Sequence, residues 1–448
     1  MLNFCGPNSH KRCDGISRRA FLRVGALPFF GLGLADALAA RAAETDQSAD
    51  DLSCILLWCD GGISTIDTFD MKPDAPVEYR GDFKPINTTV PGLTVCEHLP
   101  EVARQMHRIG QCRTIVHSGG QHAEACHFML TGWPQVPDVN AQPVGSVVHP
   151  CYGSVVAEQQ GWRNNLPPFI QLSRGGIKYH HAGYLGSALD PLRISGDPNE
   201  VDFRVQDVTL PKSINNDRLS RRRSMLKQLD EFHELIDQKA GSVAARNQFY
   251  EQAFSLVASP SAKKAFQLNK EPEKLRDRYG RHREGQATLL ARRLVEVGVR
   301  FVTVEFNGYD THDKNFIELR SPLLPKLDAA YSALLEDLDE RGMLEKTLVI
   351  CMGEFGRTPK VNGLAGRDHY PKVNSICMSG AGIKMDGFVH GRTSDKCEHV
   401  VGRSNSTHDF AATLFETIGI DHTKIYRNVD GRPILTTDNG KPIREMFA

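Results

Sequence analysis

The sequence has no surplus of charge of either sign, with 54 Lys and Arg against 54 Asp and Glu. Nucleic-acid binding through bulk charge is excluded on that count, because neutralising phosphates needs a basic excess. The eleven cysteines never form a C-x-x-C pair, which excludes a zinc ribbon, and their single spacing does not suit a small disulfide scaffold. There is no G-x-S-x-G elbow, so a serine hydrolase lacks its nucleophile turn. Internal repeats and low-complexity tracts are missing too. The candidate apolar span, Val24–Ala40, is about 17 residues long, is broken by three glycines and Asp36, and falls short of a membrane crossing. No permanent membrane span is expected. What the chain does have is a 40% apolar share over 448 residues. That is enough to bury a core and excludes intrinsic disorder. The length suits two to three ordinary domains, or one large α/β domain with an insertion.

The first forty residues read as an address. Ser17-Arg18-Arg19-Ala20-Phe21-Leu22-Arg23 is a twin-arginine sequence, and Ala40-Arg41-Ala42 offers small residues for cleavage. Residues 1–43 are therefore expected to be a leader for the twin-arginine export machinery, leaving residues 44–448 as a periplasmic or extracellular domain. An uncleaved N-terminal anchor is the alternative. Proteins on this route fold before export, which argues against an essential disulfide framework and for a cofactor or metal acquired in the cytoplasm.

Beyond the leader, short apolar runs alternate with helical patterns. Strands are expected at 53–59, 113–117, 169–172, 299–306, 347–352 and 375–378. Helices are expected near 99–109, 286–297, 322–341 and 409–418. Such alternation predicts an α/β fold whose mostly parallel central sheet carries helices on both faces. From about 215 to 283 the chain is polar and charged, including Arg221-Arg222-Arg223. It reads as a solvated helical insertion, or else as a basic binding patch.

Ligands of parallel sheets sit beyond the carboxyl ends of the strands, and chemistry-bearing residues gather there. The first strand delivers Asp60, and the second is followed by Ser118-Gly119-Gly120-Gln121-His122. Asp310-Thr311-His312-Asp313 follows strand 299–306, Glu354 and Arg357 follow 347–352, and Asp368-His369 precede 375–378. Mixed Asp, Glu and His donors on separate loops suit a divalent metal or an anion site. Each residue also has an ordinary role. Asp67 and Asp70 can cap turns, Arg357 can pair with a carboxylate rather than grip an anionic oxygen, and His408 can cap the helix that follows it.

Several of these strings carry a family resemblance. The leader, residues 61–73 (GGISTIDTFDMKP), Asp310-Thr311-His312, Glu354-Phe355-Gly356-Arg357-Thr358-Pro359 and Gly366-Arg367-Asp368-His369 resemble domain-of-unknown-function family 1501. That family comprises exported bacterial proteins resembling the alkaline phosphatase and sulfatase superfamily. The resemblance implies an alkaline-phosphatase-like fold and one or two divalent ions (zinc, calcium, magnesium or manganese). It further implies hydrolysis of sulfate or phosphate esters, those of an extracellular polysaccharide included. Mapped residue by residue, it makes Asp60, Asp310, Glu354 and His369 metal ligands, with His312 or Asp313 as companions of Asp310 and with His312, Asp368 or His127 compensating for the imidazole a second ion would lack. Two departures stand out. Phe355 replaces a metal-binding histidine, and the superfamily's nucleophile position, ten residues before Gly132, is held by His122 rather than Ser, Thr or Cys. His122 is then a ligand, an acid–base group or a nucleophile, with Arg357 assisting. Competing readings are a non-catalytic protein binding an anionic glycan and an envelope scaffold.

Overall fold

The computed structural model describes residues 51–134, 149–205 apart from 165, 176, 178–179, 202 and 204, residues 221 and 224, and 260–448 apart from 429–430. The twin-arginine leader, and the expected insertion up to residue 259 apart from those two positions, lie outside the described residues. Leu52–Ala448 forms one compact unit.

Its centre is an eight-stranded sheet. The labelled strands are β1 (Ser53–Cys59), β2 (Gly110–Ile115), β3 (Phe169–Leu172), β4 (Leu192–Ile194), β5 (Phe301–Phe306) and β6 (Thr347–Met352). Next come the short pair β7 (Gly356–Arg357) and β8 (His369–Tyr370), then β9 (Asn374–Ser379) and β10 (Val389–His390). The sheet order is β10-β2-β9-β6-β1-β5-β3-β4. All sheet pairings are parallel except those of β9, which runs antiparallel to both β6 and β2. The reversal matters for the site. Residues that precede β9 land at the same sheet edge as residues that follow the other strands.

Alternation along β1 shows how two cores form. Ile55, Leu57 and Cys59 enter one apolar cluster, while Cys54, Leu56 and Trp58 enter the other. Every residue of β1 is buried, as a strand covered on both faces requires. Helices α3 (Arg283–Val297) and α4 (Leu324–Glu340) cover the first face with Leu290, Leu294, Leu327 and Leu334. Helices α1 (His122–Thr131), α2 (Tyr152–Gln160) and α5 (Thr407–Thr417) cover the second with Met129, Val155, Phe410 and Leu414. No helix among the described residues is long and apolar enough to cross a membrane.

Three expectations shift. The second strand ends at Ile115 because the amides of Val116 and His117 leave the ladder for the carbonyls of Asn405 and Pro371. The helix expected at 99–109 is a short turn of helix, Pro100–Arg104, followed by a 3₁₀ turn. The buried Asp328 carboxylate accepts the amides of Glu101 and Val102, fixing where that helix starts. Helix α5 is capped by Ser406 and Asp409 in a reciprocal box, so His408 lies inside the helix and does not cap it.

The loops at this sheet edge are tied by a fully buried ion pair. Arg367, ahead of β9, donates through Nε and Nη2 to the two oxygens of Asp67 at 2.7 and 2.8 Å. Asp67 also accepts from Ser64 and Asn315, and Arg367 reaches the carbonyls of Thr358, Pro359 and Tyr79. Removing one partner of such a pair leaves a buried charge uncompensated. Arg367→Ala is expected to lower unfolding stability by about 3–5 kcal/mol in urea titrations, and a loss below about 1 kcal/mol would show the loops are held by something else.

Candidate metal centre

The turn after β1 starts the site. Gly61 and Gly62 both have positive φ, and a Cβ at Gly61 would lie 2.3 Å from the amide nitrogen of Asp310. Only glycine lets these two backbones meet so closely. Arg357 then clamps the turn. Its guanidinium donates to the carbonyls of Gly61, Gly62 and Arg367 and, at 2.7 Å, to Asp310 Oδ1. The Arg357 side chain has no exposed surface, so it acts from behind Asp310 and does not face the cleft. Burial opposes ionisation of Asp310, but Arg357 and the neighbouring His122 outweigh it and hold its pKa at about 2.

The short β7–β8 pairing sets His369 opposite Arg357. His369 Nδ1 lies 2.9 Å from the Gly120 carbonyl, which can only accept, so Nδ1 carries the proton. In the neutral ring Nε2 is left as a bare lone pair. His312 repeats the logic, since Nδ1 lies 2.8 Å from Asp368 Oδ1 and donates to it, leaving Nε2 bare. These two Nε2 atoms are 2.9 Å apart, and they lie 3.2 and 3.1 Å from Asp310 Oδ1. Two lone pairs and a carboxylate oxygen pointing at one another are an unfavourable arrangement without a positive centre between them. Histidines whose far nitrogen is fixed by a carbonyl or carboxylate form the usual geometry of metal ligands. Burial, first of all, holds the His369 pKa down, which favours the neutral, ligating form. The residues therefore fit a divalent ion.

A second donor group lies beside the first. Asp60, Glu354 and Cys126 each offer an atom within 4.8 Å of the others. Trp58 Nε1 donates to Asp60 at 3.1 Å. Glu354 is wholly buried. Its Oε1 accepts from the Gly61 amide and from His122, while Oε2 is buried without a hydrogen-bond partner. Burial, aided by the charge of Asp60, raises the Glu354 pKa.

His122 stands between the two groups at the start of α1. Its Nδ1 is 2.9 Å from Glu354 Oε1 and its Nε2 is 3.1 Å from Asp310 Oδ2. The bond to Glu354 is the main reason its pKa is raised, with the charges of Glu354 and Asp310 adding to it, and His122 also offers a ligand atom within 4.8 Å of those of Asp310 and His369. Phe355, the departure noted from sequence, is buried and stacks on His369 at 4.3 Å while lying tilted against His122 at 5.4 Å. It steers both imidazoles without ligating anything.

Asp60, His122, Cys126, Asp310 and Glu354 line a cleft of about 580 Å³ together with Arg174, Arg283, Glu284, Glu305 and Asn307, and of the Asp310–His312–His369 group only Asp310 belongs to its lining. Asp368 stands one bond further out, behind His312. His127 is not brought to the site, since it bonds the Trp133 carbonyl and its ring lies near His149. His408 packs edge-on against Trp133, and His180 packs near Phe169. Asp70 gathers Lys72, Arg113 and Thr393 and so holds loops together. Sequence reading missed Arg174, Arg283 and Cys126. Arg174 had a usable sign, because Arg174-Gly175 lies one residue beyond the end of β3, much as Asp60-Gly61 lies at the end of β1.

The charged state of His122 has a pH consequence. Its folded pKa is raised, so the stability it contributes is full below the unfolded value of about 6.5 and is lost as pH rises through the folded pKa. In the presence of chelator, the stability gap between wild type and His122→Gln should be largest at acidic to neutral pH and close at alkaline pH. A gap that widens with pH would mean that His122 is neutral in the fold.

Among curated proteins none matches the chain. Similar solved structures include an alkaline phosphatase superfamily protein from Vibrio parahaemolyticus, 11% identical with a TM-score of 0.39 over 82% of this chain and 66% of that one. The lipoteichoic acid synthase LtaP from Listeria monocytogenes is 10% identical with a TM-score of 0.39 over 84% and 73%. The PsFucS1 sulfatase from Pseudoalteromonas sp. is 13% identical with a TM-score of 0.36 over 90% and 79%. The chain thus spans just under two thirds of the Vibrio protein's length. The model of one family, the proteins of unknown function DUF1501, matches residues 51–447, and the chain belongs to that family.

Proposed function

We propose that this is an exported metal-dependent hydrolase acting on sulfate or phosphate esters. The observation that carries the reading is the meeting of His312 Nε2, His369 Nε2 and Asp310 Oδ1, with both ring tautomers fixed by Asp368 and Gly120. Asp310, His312 and His369 would hold one ion, and Asp60 and Glu354 would take part in a second site.

A divalent ion bound there supplies Lewis-acid polarisation of an ester oxygen and offsets negative charge developing on it. The chain's own residues do the rest. Arg357 fixes the Asp310 carboxylate in place and keeps it ionised. His122, held charged between Glu354 and Asp310, faces the cleft as a proton donor for a leaving alcohol oxygen. Donation of that proton, like attack by His122 itself, requires the ring to give up one of those two bonds. Arg174, exposed at the cleft, and Arg283, bonded to the Ser195 carbonyl at 3.3 Å, bring guanidinium groups to the lining beside the carboxylates of Glu284 and Glu305. A further anionic group on the substrate, as in a sulfated or phosphorylated polysaccharide, would pair with these arginines. The leader at Ser17–Arg23 supports delivery outside the cytoplasm.

One observation favours a second reading, a protein that binds an anionic glycan without turnover. Position 122 has no hydroxyl or thiol, and both of its ring nitrogens are already engaged.

Two measurements test the proposal. Metal content by inductively coupled plasma mass spectrometry should be near-stoichiometric in wild type and lost in His369→Ala and Asp310→Ala, while Asp368→Ala should weaken metal affinity about 10–100-fold. Metal-loaded wild type should release sulfate or phosphate from a panel of aryl and polysaccharide esters, and Arg174→Ala should raise KM with little change in kcat. Stoichiometric metal with no release from any ester would transfer support to the binding reading. Absence of metal after incubation with zinc, calcium, magnesium and manganese salts would overturn the hydrolase.

A further inference from the structure

We propose that Cys126 is a metal ligand, and that with Asp60 and Glu354 it forms a centre of mixed sulfur and oxygen donors beside the Asp310–His312–His369 group. This rests on the metal reading above but concerns a residue that neither the sequence motifs nor that reading requires.

The placement comes from three separate elements. Asp60 directly follows β1, Glu354 comes after β6, and Cys126 lies on α1 one turn after His122, on the same helix face. Their ligand atoms all fall within 4.8 Å of one another. Cys126 is 2% exposed and Glu354 is fully buried. Glu354 Oε1 is satisfied by Gly61 and His122, yet Oε2 is buried with no hydrogen-bond partner. Leaving such an oxygen unpaired is destabilising, and more so when it is charged. Glu354 is paired with His122 through Oε1 alone, and among the described residues Asp60 has no ion-pair partner. Two carboxylates therefore share one cationic neighbour beside Cys126. A water could satisfy Oε2, but it would leave Asp60 without a compensating charge.

All three side chains also line the cleft, so an ion among them keeps an open position facing substrate, which is the arrangement of catalytic rather than structural zinc sites. On binding, the Cys126 thiol releases its proton to solvent and coordinates as the thiolate. A thiolate in the donor set changes the metal preference. Calcium, magnesium and manganese suit all-oxygen shells, whereas sulfur favours zinc and cobalt(II). The geometry thus assigns this centre to a zinc-type ion.

Cobalt(II) reports thiolate ligation directly. Full-length mature protein stripped of metal is titrated with cobalt(II), with bound cobalt counted by mass spectrometry and folding checked by circular dichroism. The expected result is a near-ultraviolet thiolate-to-cobalt charge-transfer band in wild type and in Cys151→Ser, but not in Cys126→Ser. Zinc should abolish the band, and magnesium or calcium at the same concentration should not. Cobalt bound without the band, or a band that survives in Cys126→Ser, overturns the Cys126 assignment and leaves the metal centre standing. If Cys126→Ser does not fold, the wild-type band and its selective loss to zinc still decide the matter. Failure of wild type to bind any cobalt overturns both this inference and the hydrolase reading.

Discussion

The Asp67–Arg367 ion pair is the contact on which the active edge depends. It joins the loop that leaves β1 to the loop that enters β9, two segments 300 residues apart, and it does so with both side chains fully buried. A charge pair in that position gains little net stability over an apolar pair. What it supplies is register. Both guanidinium faces are committed, to Asp67 and to the carbonyls of Thr358, Pro359 and Tyr79, so Asp368 and His369, which follow Arg367 directly, have little freedom to drift. Arg357 does the same for the Gly61–Gly62 turn and Asp310. Two buried arginines thus hold the scaffold, and neither faces the cleft.

Against that scaffold the donors are arranged under electrostatic tension. Asp60, Asp310 and Glu354 crowd one end of the cleft, and the rings of His312 and His369 aim lone pairs at Asp310. His122 relieves part of the charge by carrying a proton between Glu354 and Asp310. The relief is incomplete, as the unpartnered Glu354 Oε2 records. Proton and metal ion are alternative answers to the same excess of negative charge, which couples occupancy of the site to pH.

Much of the fold was legible in the chain. Strands 53–59, 169–172 and 347–352 have the boundaries expected from their apolar runs, because strands buried on both faces must be continuously apolar. The helices at 283–297, 324–340 and 407–417 follow the helical period with ends displaced by a few residues. The segments 110–117 and 99–109 were less legible, because their limits are set by distant partners, Asn405 and Pro371 in one case and Asp328 in the other.

The site divides in the same way. The sequence by itself determined which chemistry is available: carboxylates and imidazoles placed next to strand ends, a pair of glycines after β1, and a string shared with an identifiable family. These are local properties, since apolar runs and the residues beside them are contiguous. Only the tertiary structure decided which donors meet. The reversal of β9 brings a segment that precedes a strand to the edge where the others follow one. Folding also buried Arg357 behind Asp310, moved His127 away and turned Cys126 toward Asp60 and Glu354. Such choices depend on strand direction and long-range pairing, and no window of neighbouring residues encodes them.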